Sequence, residues 1–428
     1  MKASRVRTLS LVTGAVIWQL MTPAQTAELL IEDVTVIDGT GRPAQPGSWV
    51  LVRDGRFVAV TQAPLKANEQ VERIDGSGKY LIPGLIDVHV HIPGGRGIGP
   101  RFDQEAGVRS LHSYLYSGVT SIYDAGNNPR YIMPLRKDER AGKLLSPRIF
   151  ATGSGVSYPG SWGGGPAALV VDAWPEGASR LDQNFARQPD LQKITYENFG
   201  TGANAWVPSF TPELFTEIVK YCREKGIRTT VHISDEAHAR VALEAGVDTL
   251  AHGVMVGRMS DSFVSMLANS GVVVTTSLAV FENIAQIVDD PSFLDQPALR
   301  AVMDPGEITT LKTRSRQLYA EMGWGAWFKA ILPYAKGNVR RLHEAGGVLA
   351  LGTDRNLGPL TQRELGLIVE AGIPPLAALR IGTLNAAVFL GQEDDLGSIE
   401  PGKYADMVLL DADPLTDISN VARISAVF

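Results

Sequence analysis

The sequence predicts an α/β fold: a (β/α)8 barrel of the TIM type, with a small β-sandwich formed from both ends of the chain. Eight short runs rich in β-branched residues lie at roughly 83–91, 119–125, 148–152, 191–197, 228–234, 248–252, 272–277 and 348–353. Longer helix-like stretches, such as Ala106 to Ser117, separate most of these runs. Eight such repeats are the number found in a (β/α)8 barrel. A doubly wound sheet would show the same alternation, but no Gly-x-Gly-x-x-Gly segment follows the first run.

The two ends of the chain are also β-rich, and they predict the small sandwich. Asp54–Gly55 separates the runs Ser48–Val52 and Arg56–Val60, and an Asp-Gly between β-type runs is typical of a hairpin. Gly397–Leu410 is again β-type. We therefore expect residues 28–80 and 396–428 to pair, with the barrel at residues 81–395 inserted between them.

Residues 1–27 have the pattern of a signal peptide. Three basic residues precede the mostly apolar run Leu9–Met21, which is too short to span a bilayer. Small residues around Ala24 and Ala27 offer a cleavage site. We expect an exported, periplasmic protein with no membrane segment in its mature form. A buried N-terminal helix is the alternative, because Gln19 interrupts the apolar run.

Composition excludes some functions. The chain has 428 residues, of which 44% are hydrophobic, and its formal net charge is −6 without any Lys/Arg-rich block. A nucleic-acid partner is therefore not expected, whereas a large core around a small-molecule site is. Cys222 is the only cysteine, so no intrachain disulfide can form, and its helix-like surroundings predict a buried structural thiol. The sequence leaves homo-oligomer formation open.

Polar residues lie at the ends of the predicted strands, where (β/α)8 barrels carry their chemistry. His89 and His91 are separated by one residue, so in an extended strand they project from the same side. Neutral imidazoles placed in this way suit Zn, Fe, Ni or Cu, although a pair of structural histidines explains the motif equally well. The other predicted strands carry further candidates, namely Lys193, His232, His252 and Asp354.

Four motifs together carry a family resemblance. They are Pro-Gly-Leu-Ile-Asp-Val-His-Val-His at 83–91, Ala-Gly-Val-Asp-Thr-Leu-Ala-His at 245–252, Leu-Gly-Thr-Asp at 351–354 and Gly-Ser-Ile-Glu-Pro-Gly-Lys-Tyr-Ala-Asp at 397–406. In these motifs the chain resembles the amidohydrolase superfamily of metal-dependent hydrolases. It is most similar to the branch of imidazolonepropionase-like and prolidase-like proteins.

The resemblance implies a site with two divalent metal ions, most often zinc. His89 and His91 would hold one ion, and His232 and His252 the other. Lys193, carrying CO2 as a carbamate, would bridge them. Asp354 would be both a ligand and the group that transfers a proton. The implied reaction is hydrolysis of an amide-type C–N bond in an N-acyl compound, a small peptide or a cyclic amide, by a hydroxide that bridges the metals.

Other functions remain open at this point. The same site would serve an ester or a lactone, and a single-metal deaminase or a non-catalytic metal-binding homologue are further alternatives. The run from His232 to Asp235 lacks the His-Gly segment that prolidase-like relatives often have, and Ala251 stands where this branch commonly has Glu. The deaminase alternative rests on the spacing of His232 and Asp235. Capping of the following helix by Ser234 or Asp235 is the favoured explanation of that spacing.

Two long segments, Gly153–Gly165 and Leu278–Ala335, follow predicted strands and are rich in aromatic residues. Long segments at the catalytic face often form substrate walls. The residues that could line such a wall are Tyr158, Trp162, Trp324, Trp327 and Phe328, and the alternative for them is packing on the barrel exterior or at a subunit interface. Tyr196, Asn198 and His238 are further candidates for substrate contact, and for His238 a place on the helix surface is the favoured alternative. His112 and His343 lie on predicted helices and are interpreted as structural or solvated.

Overall fold

A computed structural model describes residues 28–68, 70–95, 102–165, 167–204 and 206–428. Within these ranges the chain forms seventeen strands and fourteen α-helices, numbered here in chain order. The predicted signal peptide, residues 1–27, lies outside the described residues. Among the helices of the described ranges, none is long and apolar enough to cross a membrane.

One seven-stranded sheet joins the two ends of the chain. Its strands are β1 (Glu28–Val36), β2 (Gln45–Arg53), β3 (Arg56–Thr61), β4 (Glu72–Asp75), β5 (Tyr80–Pro83), β16 (Met407–Leu410) and β17 (Ile424–Val427). The hairpin predicted at Asp54–Gly55 is confirmed by the antiparallel pairing of β2 with β3. β16 pairs with β5, so the C-terminal strands continue the N-terminal sheet. The described parts of both ends thus form a single sheet, and the two-layered sandwich is not found in them.

Ten further strands form two parallel sheets. The smaller has the order β6 (Leu85–Val90), β7 (Val119–Asp124) and β8 (Arg148–Ala151). The larger has the order β10-β9-β11-β12-β13-β14-β15, with β9 (Val156–Ser157), β10 (Leu169–Val170), β11 (Gln192–Thr195), β12 (Thr229–His232), β13 (Thr249–Leu250), β14 (Val273–Thr275) and β15 (Leu349–Ala350). Eight of these ten strands lie in the predicted runs. The two-residue strands β9 and β10 were not predicted.

The two parallel sheets lie edge to edge. Beside β6, the backbone N–H of Val88 donates to the carbonyl of Leu351, just after β15, over 2.9 Å. Beside β8, the N–H of Asp190 donates to the carbonyl of Ala151 over 3.0 Å. At the β6 edge the N–H of Asp354 also donates to the carbonyl of His89 over 2.7 Å, and that of His91 to the carbonyl of Arg355 over 3.3 Å. These bonds do not join the strands into one continuous sheet, so the described strands form two adjacent parallel sheets, without the closed barrel ladder that the sequence predicts.

Helices follow most of the parallel strands. They are α1 (Gln104–Tyr116), α2 (Pro129–Arg140), α3 (Glu176–Phe185), α4 (Pro212–Glu224), α5 (Glu236–Ala245), α6 (Asp261–Asn269), α7 (Leu278–Asp289), α8 (Pro297–Val302), α9 (Pro305–Thr310), α10 (Arg316–Glu321), α11 (Trp324–Glu344), α12 (Gly358–Glu370), α13 (Pro375–Ile381) and α14 (Leu384–Leu390). In α4 the side chains of Phe215, Ile218 and Cys222 are buried, at the spacing of one helix face. The predicted burial of Cys222 is confirmed.

The segment after β14 is largely helical, with α7 to α10 replacing the expected long loop. α7 begins after Ser277, whose φ is +48° and whose side chain does not cap the helix. Glu364 of α12 caps it instead, because its carboxylate accepts from the backbone N–H groups of Leu278 (2.9 Å) and Ala279 (2.5 Å). Burial raises the pKa of Glu364 to about 7, although three hydrogen bonds to its carboxylate, one of them from Thr276, oppose the shift. A distant carboxyl thus completes the start of this helix.

Candidate metal centre

His89 and His91 have a defined orientation at the end of β6. The Nδ1–H of His89 donates to the carbonyl of Ala251 over 2.8 Å, and that of His91 donates to the carbonyl of Gly126 over 3.0 Å. Because a carbonyl oxygen only accepts, each proton belongs on Nδ1, which leaves a lone pair on each Nε2. This is the usual arrangement of a ligating histidine.

The carboxylate of Asp354 lies close to the Nε2 atoms of both histidines. Its Oδ1 lies 3.2 Å from Nε2 of His91 and 3.6 Å from Nε2 of His89. One ligand atom from each of the three residues falls within 4.8 Å of the others. Asp354 has a φ of +51°, which is unusual for a residue with a side chain, and its N–H donates to the His89 carbonyl over 2.7 Å. We call His89, His91 and Asp354 the first ligand group.

Charge and burial prepare these residues for a cation. Burial, reinforced by the charge of Lys193, lowers the pKa of His89 well below its usual value. Burial and the nearby His89 likewise lower the pKa of His252. Burial on its own would raise the pKa of Asp354, but the surrounding histidines hold it well below its usual range. These shifts favour the neutral form of His89 and His252 and the ionised form of Asp354, which are the forms that bind a metal.

His232 and His252, the second ligand group, lie next to the first. The ring of His252 is 4.6 Å from that of His89 and 4.6 Å from that of His232, between centroids. Nε2 of His232 and Nδ1 of His252 are buried and form no hydrogen bond with the described part of the chain. Nζ of Lys193 lies 3.2 Å from Nε2 of His89. The structure thus brings all six predicted site residues together.

Glu197 is a residue of this centre that the sequence analysis missed. Its side chain is only 5% exposed, and Oε1 lies 2.8 Å from Nε2 of His232. The two groups are close but are not aligned as a regular hydrogen bond. A signal was present, because alternate residues of an extended segment share a face and Glu197 is four residues after Lys193.

Asn198, the next residue, contacts His238 in the first turn of α5. Nε2 of His238 is 2.9 Å from Oδ1 of Asn198, and its Nδ1 is 2.6 Å from Oδ2 of Asp235. Asp235 also caps α5, as predicted, by accepting from the N–H groups of Ala237 and His238. Burial would raise the pKa of Asp235, but the hydrogen bond and charge of His238 lower it overall. His238 is 13% exposed, so the favoured placement on the helix surface was wrong.

Comparison with known proteins identifies the family. The amidohydrolase family matches residues 80–428. The chain belongs to that family. Similar proteins include the ochratoxinase of Aspergillus niger, 23% identical over 90% of this chain and 81% of its own. The imidazolonepropionase of Caldanaerobacter subterraneus subsp. tengcongensis is 23% identical over 92% of this chain and 90% of its own.

Solved structures show the same fold. A Xaa-Pro dipeptidase with bound methionine in its active site superposes with a TM-score of 0.74 at 23% identity, covering 94% of this chain and 98% of its own. The predicted resemblance is confirmed. This amidohydrolase is an enzyme that acts on C–N bonds, and its family is consistent with the hydrolysis of amides. The family also implies a divalent metal, for which the first ligand group is a candidate site.

The aromatic candidates of this amidohydrolase separate into two sets. Trp162 packs edge-on against Trp324, with ring centroids 6.0 Å apart, and the Nε1–H of Trp324 is buried without a hydrogen-bond partner in the described ranges. Other candidates pack within the protein. Tyr196 stacks on Phe215 at 4.1 Å, Phe328 stacks on Phe281 at 5.5 Å, Tyr158 meets Phe210 at 5.7 Å, and Trp327 lies against the core. Packing therefore accounts for these four. Trp324 also stacks on Tyr319 at 5.2 Å and lies against the core, so only its buried N–H keeps the Trp162–Trp324 pair as a candidate wall.

Proposed function

We propose that this amidohydrolase cleaves the C–N bond of a small amide, in an N-acyl compound, a small peptide or a cyclic amide, at a centre of two zinc ions. The observation that carries the proposal is the first ligand group. Two histidine lone pairs and one ionised carboxylate converge there, in an orientation already set by backbone hydrogen bonds. Nitrogen and oxygen donors of this kind suit zinc.

The remaining ligands follow from the same geometry. The first ligand group would hold one ion and the second ligand group, whose rings lie next to His89, would hold the other. Lys193, as a carbamate, would supply an anion between the groups, because its Nζ already lies 3.2 Å from a ligand nitrogen of His89. A lysine without CO2 is a cation and cannot take this role.

Glu197 is proposed to orient His232. An Nε2–H directed at the Glu197 carboxylate would leave Nδ1 of His232 for the ion, and a carboxylate behind a ligating histidine is a common arrangement. Asn198, the next residue, bonds to His238, which is not a proposed ligand, so a substitution of Asn198 is a suitable control for one of Glu197.

The chemistry is then divided between the ions and the chain. Bound ions would acidify a water molecule and polarise the substrate carbonyl. Asp354, held ionised beside His89 and His91, would accept a proton and return it to the leaving nitrogen. The Trp162–Trp324 pair would contact an apolar part of the substrate, and the free indole N–H of Trp324 would donate to it.

We also propose that the two parallel sheets close into one (β/α)8 barrel. Backbone hydrogen bonds at both edges support this closure: Val88 with Leu351 and Asp354 with His89 at one, and Asp190 with Ala151 at the other. Export of the protein, with cleavage near residue 27, stays a prediction from the basic and apolar pattern of the first residues. N-terminal sequencing of the protein from its native host would test it.

The function is tested by a mass-spectrometric hydrolysis screen of N-acyl amino acids, dipeptides, cyclic amides, aryl amides, esters and lactones. Each substrate is incubated with enzyme as prepared, with chelator, and with chelator followed by excess Zn2+. We expect amide cleavage that chelator removes and Zn2+ restores. Cleavage of esters or lactones alone would replace the amide assignment, and loss of an exocyclic amine as ammonia would indicate deamination.

A further inference from the structure

A cavity of about 200 Å³ lies beside the residue that follows Asp354. By this measure one water molecule needs roughly 10–15 Å³, so the cavity has room for a molecule the size of an amino acid. Its walls come from the helical segment after β14 and from residues 355–360. Polar and apolar groups both line it, and the apolar ones include Leu294, Leu299 and Leu360, which also pack together as a separate hydrophobic cluster.

The cavity lies on the other side of the chain from the metal centre. Arg355, which lines it, forms a parallel bridge with Val90. Directly paired residues of neighbouring strands project to the same side. Val90 stands between His89 and His91 and therefore projects away from them, into the apolar core. A ligand in this cavity would not reach the first ligand group.

Two opposite charges line this cavity without pairing. The guanidinium of Arg355 donates to Oδ1 of Asn283, and no other side-chain hydrogen bond of Arg355 is found in the described ranges, although it has five N–H donors. Burial lowers the pKa of Arg355, opposed by the nearby Tyr319, Asp354 and Glu307. Glu307, an exposed residue, also lines the cavity. Within the described residues no ion pair joins Arg355 to Glu307.

We propose that this cavity binds a free α-amino acid with an apolar side chain of about the size of leucine. The planar guanidinium of Arg355 would take the carboxylate through two parallel N–H donors. Glu307 would attract the ammonium group, and the leucine cluster would bury the side chain. The proposal goes beyond the proposed function, because binding here needs neither metal nor turnover. Since Arg355 directly follows Asp354, such a ligand would act on the backbone that positions that carboxylate.

Isothermal titration calorimetry of the full chain tests the proposal with four probes: L-leucine, 4-methylpentanoate, 3-methylbutylamine and glycine. L-leucine has an ammonium group, a carboxylate and an apolar side chain. 4-Methylpentanoate lacks the ammonium group, 3-methylbutylamine lacks the carboxylate, and glycine lacks the side chain. Every titration is made on metal-loaded and on chelator-treated protein, because binding at the metal centre would depend on the ions. Variants R355M and E307Q are compared with R130M, which removes an exposed cation elsewhere.

We expect L-leucine to bind in both metal states and more tightly than each of the other probes. R355M should weaken it about tenfold or more, the cost expected when hydrogen bonds to a charged group are lost. E307Q should remove the preference for leucine over 4-methylpentanoate, and R130M should bind as the wild type does. If R355M does not fold, R355K serves, since an ammonium cannot form the two parallel bonds. Equal affinity in the Arg355 variant, no leucine binding, or binding only to metal-loaded protein would each overturn the proposal.

Discussion

The two ligand groups of this amidohydrolase differ in how their side chains are held. In the first, His89 and His91 each donate one ring N–H to a backbone carbonyl, and Asp354 is bonded through its own backbone to His89. In the second, Nε2 of His232 and Nδ1 of His252 are buried without a hydrogen bond in the described ranges. Both groups lie at the ends of parallel strands, so the strands alone do not produce the difference.

This difference indicates an order of assembly. The first ligand group has its tautomers and distances set by backbone atoms, which do not depend on an ion. The second has buried polar atoms that cost free energy until something bonds to them. We therefore expect the first ion to bind a preformed site, and the second to bind more weakly and to depend on Glu197 and Lys193.

The largest expected effect is at Asp354. D354N keeps an oxygen for the ion but loses the carboxylate that transfers a proton, so turnover should fall about 10²- to 10⁴-fold. Steady-state kinetics and metal content by mass spectrometry measure both quantities. A variant with normal turnover would remove Asp354 from proton transfer. If the variant has lost its metal, Asp354 is chiefly a metal ligand.

Metal binding by the two ligand groups is best compared at a pH where the charge of Glu364 does not change, because its titration alters the stability of the fold. Its pKa of about 7 in the folded protein exceeds its usual value of 4.5, so between these values the folded chain binds more protons than the unfolded chain. The free energy of unfolding should therefore fall as pH rises from about 4.5 to 7, by about 3 kcal/mol at most, and then stay level.

Urea unfolding of metal-free protein between pH 4.5 and 8 measures this dependence. E364Q has nothing to titrate at this position and should lack this component of the fall. Parallel curves for the two proteins would show that Glu364 is already ionised when folded. Metal titrations are best made above pH 7, where the wild-type contribution is constant.

Glu197 sharpens the comparison directly. E197A should weaken binding of the second ion about 10- to 100-fold and leave the first unchanged, because only His232 loses its carboxylate. N198A is the matched control, since Asn198 bonds to His238. Co2+ titrations of chelated protein, followed by absorbance, resolve the two binding steps. Identical titrations for the two variants would contradict the assignment of Glu197, and a wild type that binds a single ion would contradict the second ligand group itself.

The smallest expected effect is at the aromatic wall. W324F keeps an aromatic ring beside Trp162 but removes the buried indole N–H, so KM should rise about 2- to 10-fold with kcat nearly unchanged. W327F, on the same helix, is the control because Trp327 also packs against the core but has no buried N–H without a partner in the described ranges. Equal KM values in both variants would remove Trp324 from substrate contact.

Much of the site was predictable because its residues follow strands. His89, His91, His232, His252 and Asp354 each stand at or just after the end of a β-branched run, and parallel strands bring such ends to one edge. Glu197 ends the predicted run 191–197 on the face of Lys193, so the pattern could have found it, but its contact with His232 is seen only in the structure. The prediction for His238 was wrong because helical periodicity shows only which face of a helix a residue is on. It does not show that the segment containing Asn198 covers that face. The long segment after β14 was expected as a loop, but a glutamate from a distant helix completes the start of α7.

The sequence by itself determined the alternation of strands and helices, the β-rich character of both ends and the identity of the six candidate ligands. Each depends on local periodicity, on turn residues or on short motifs, which are properties of neighbouring residues. Only the tertiary structure decided that the two ends share one sheet, which nitrogens of His89 and His91 are free, and that Glu197 and Asn198 reach two different histidines. These features depend on contacts between residues far apart in the chain, which local sequence patterns do not specify.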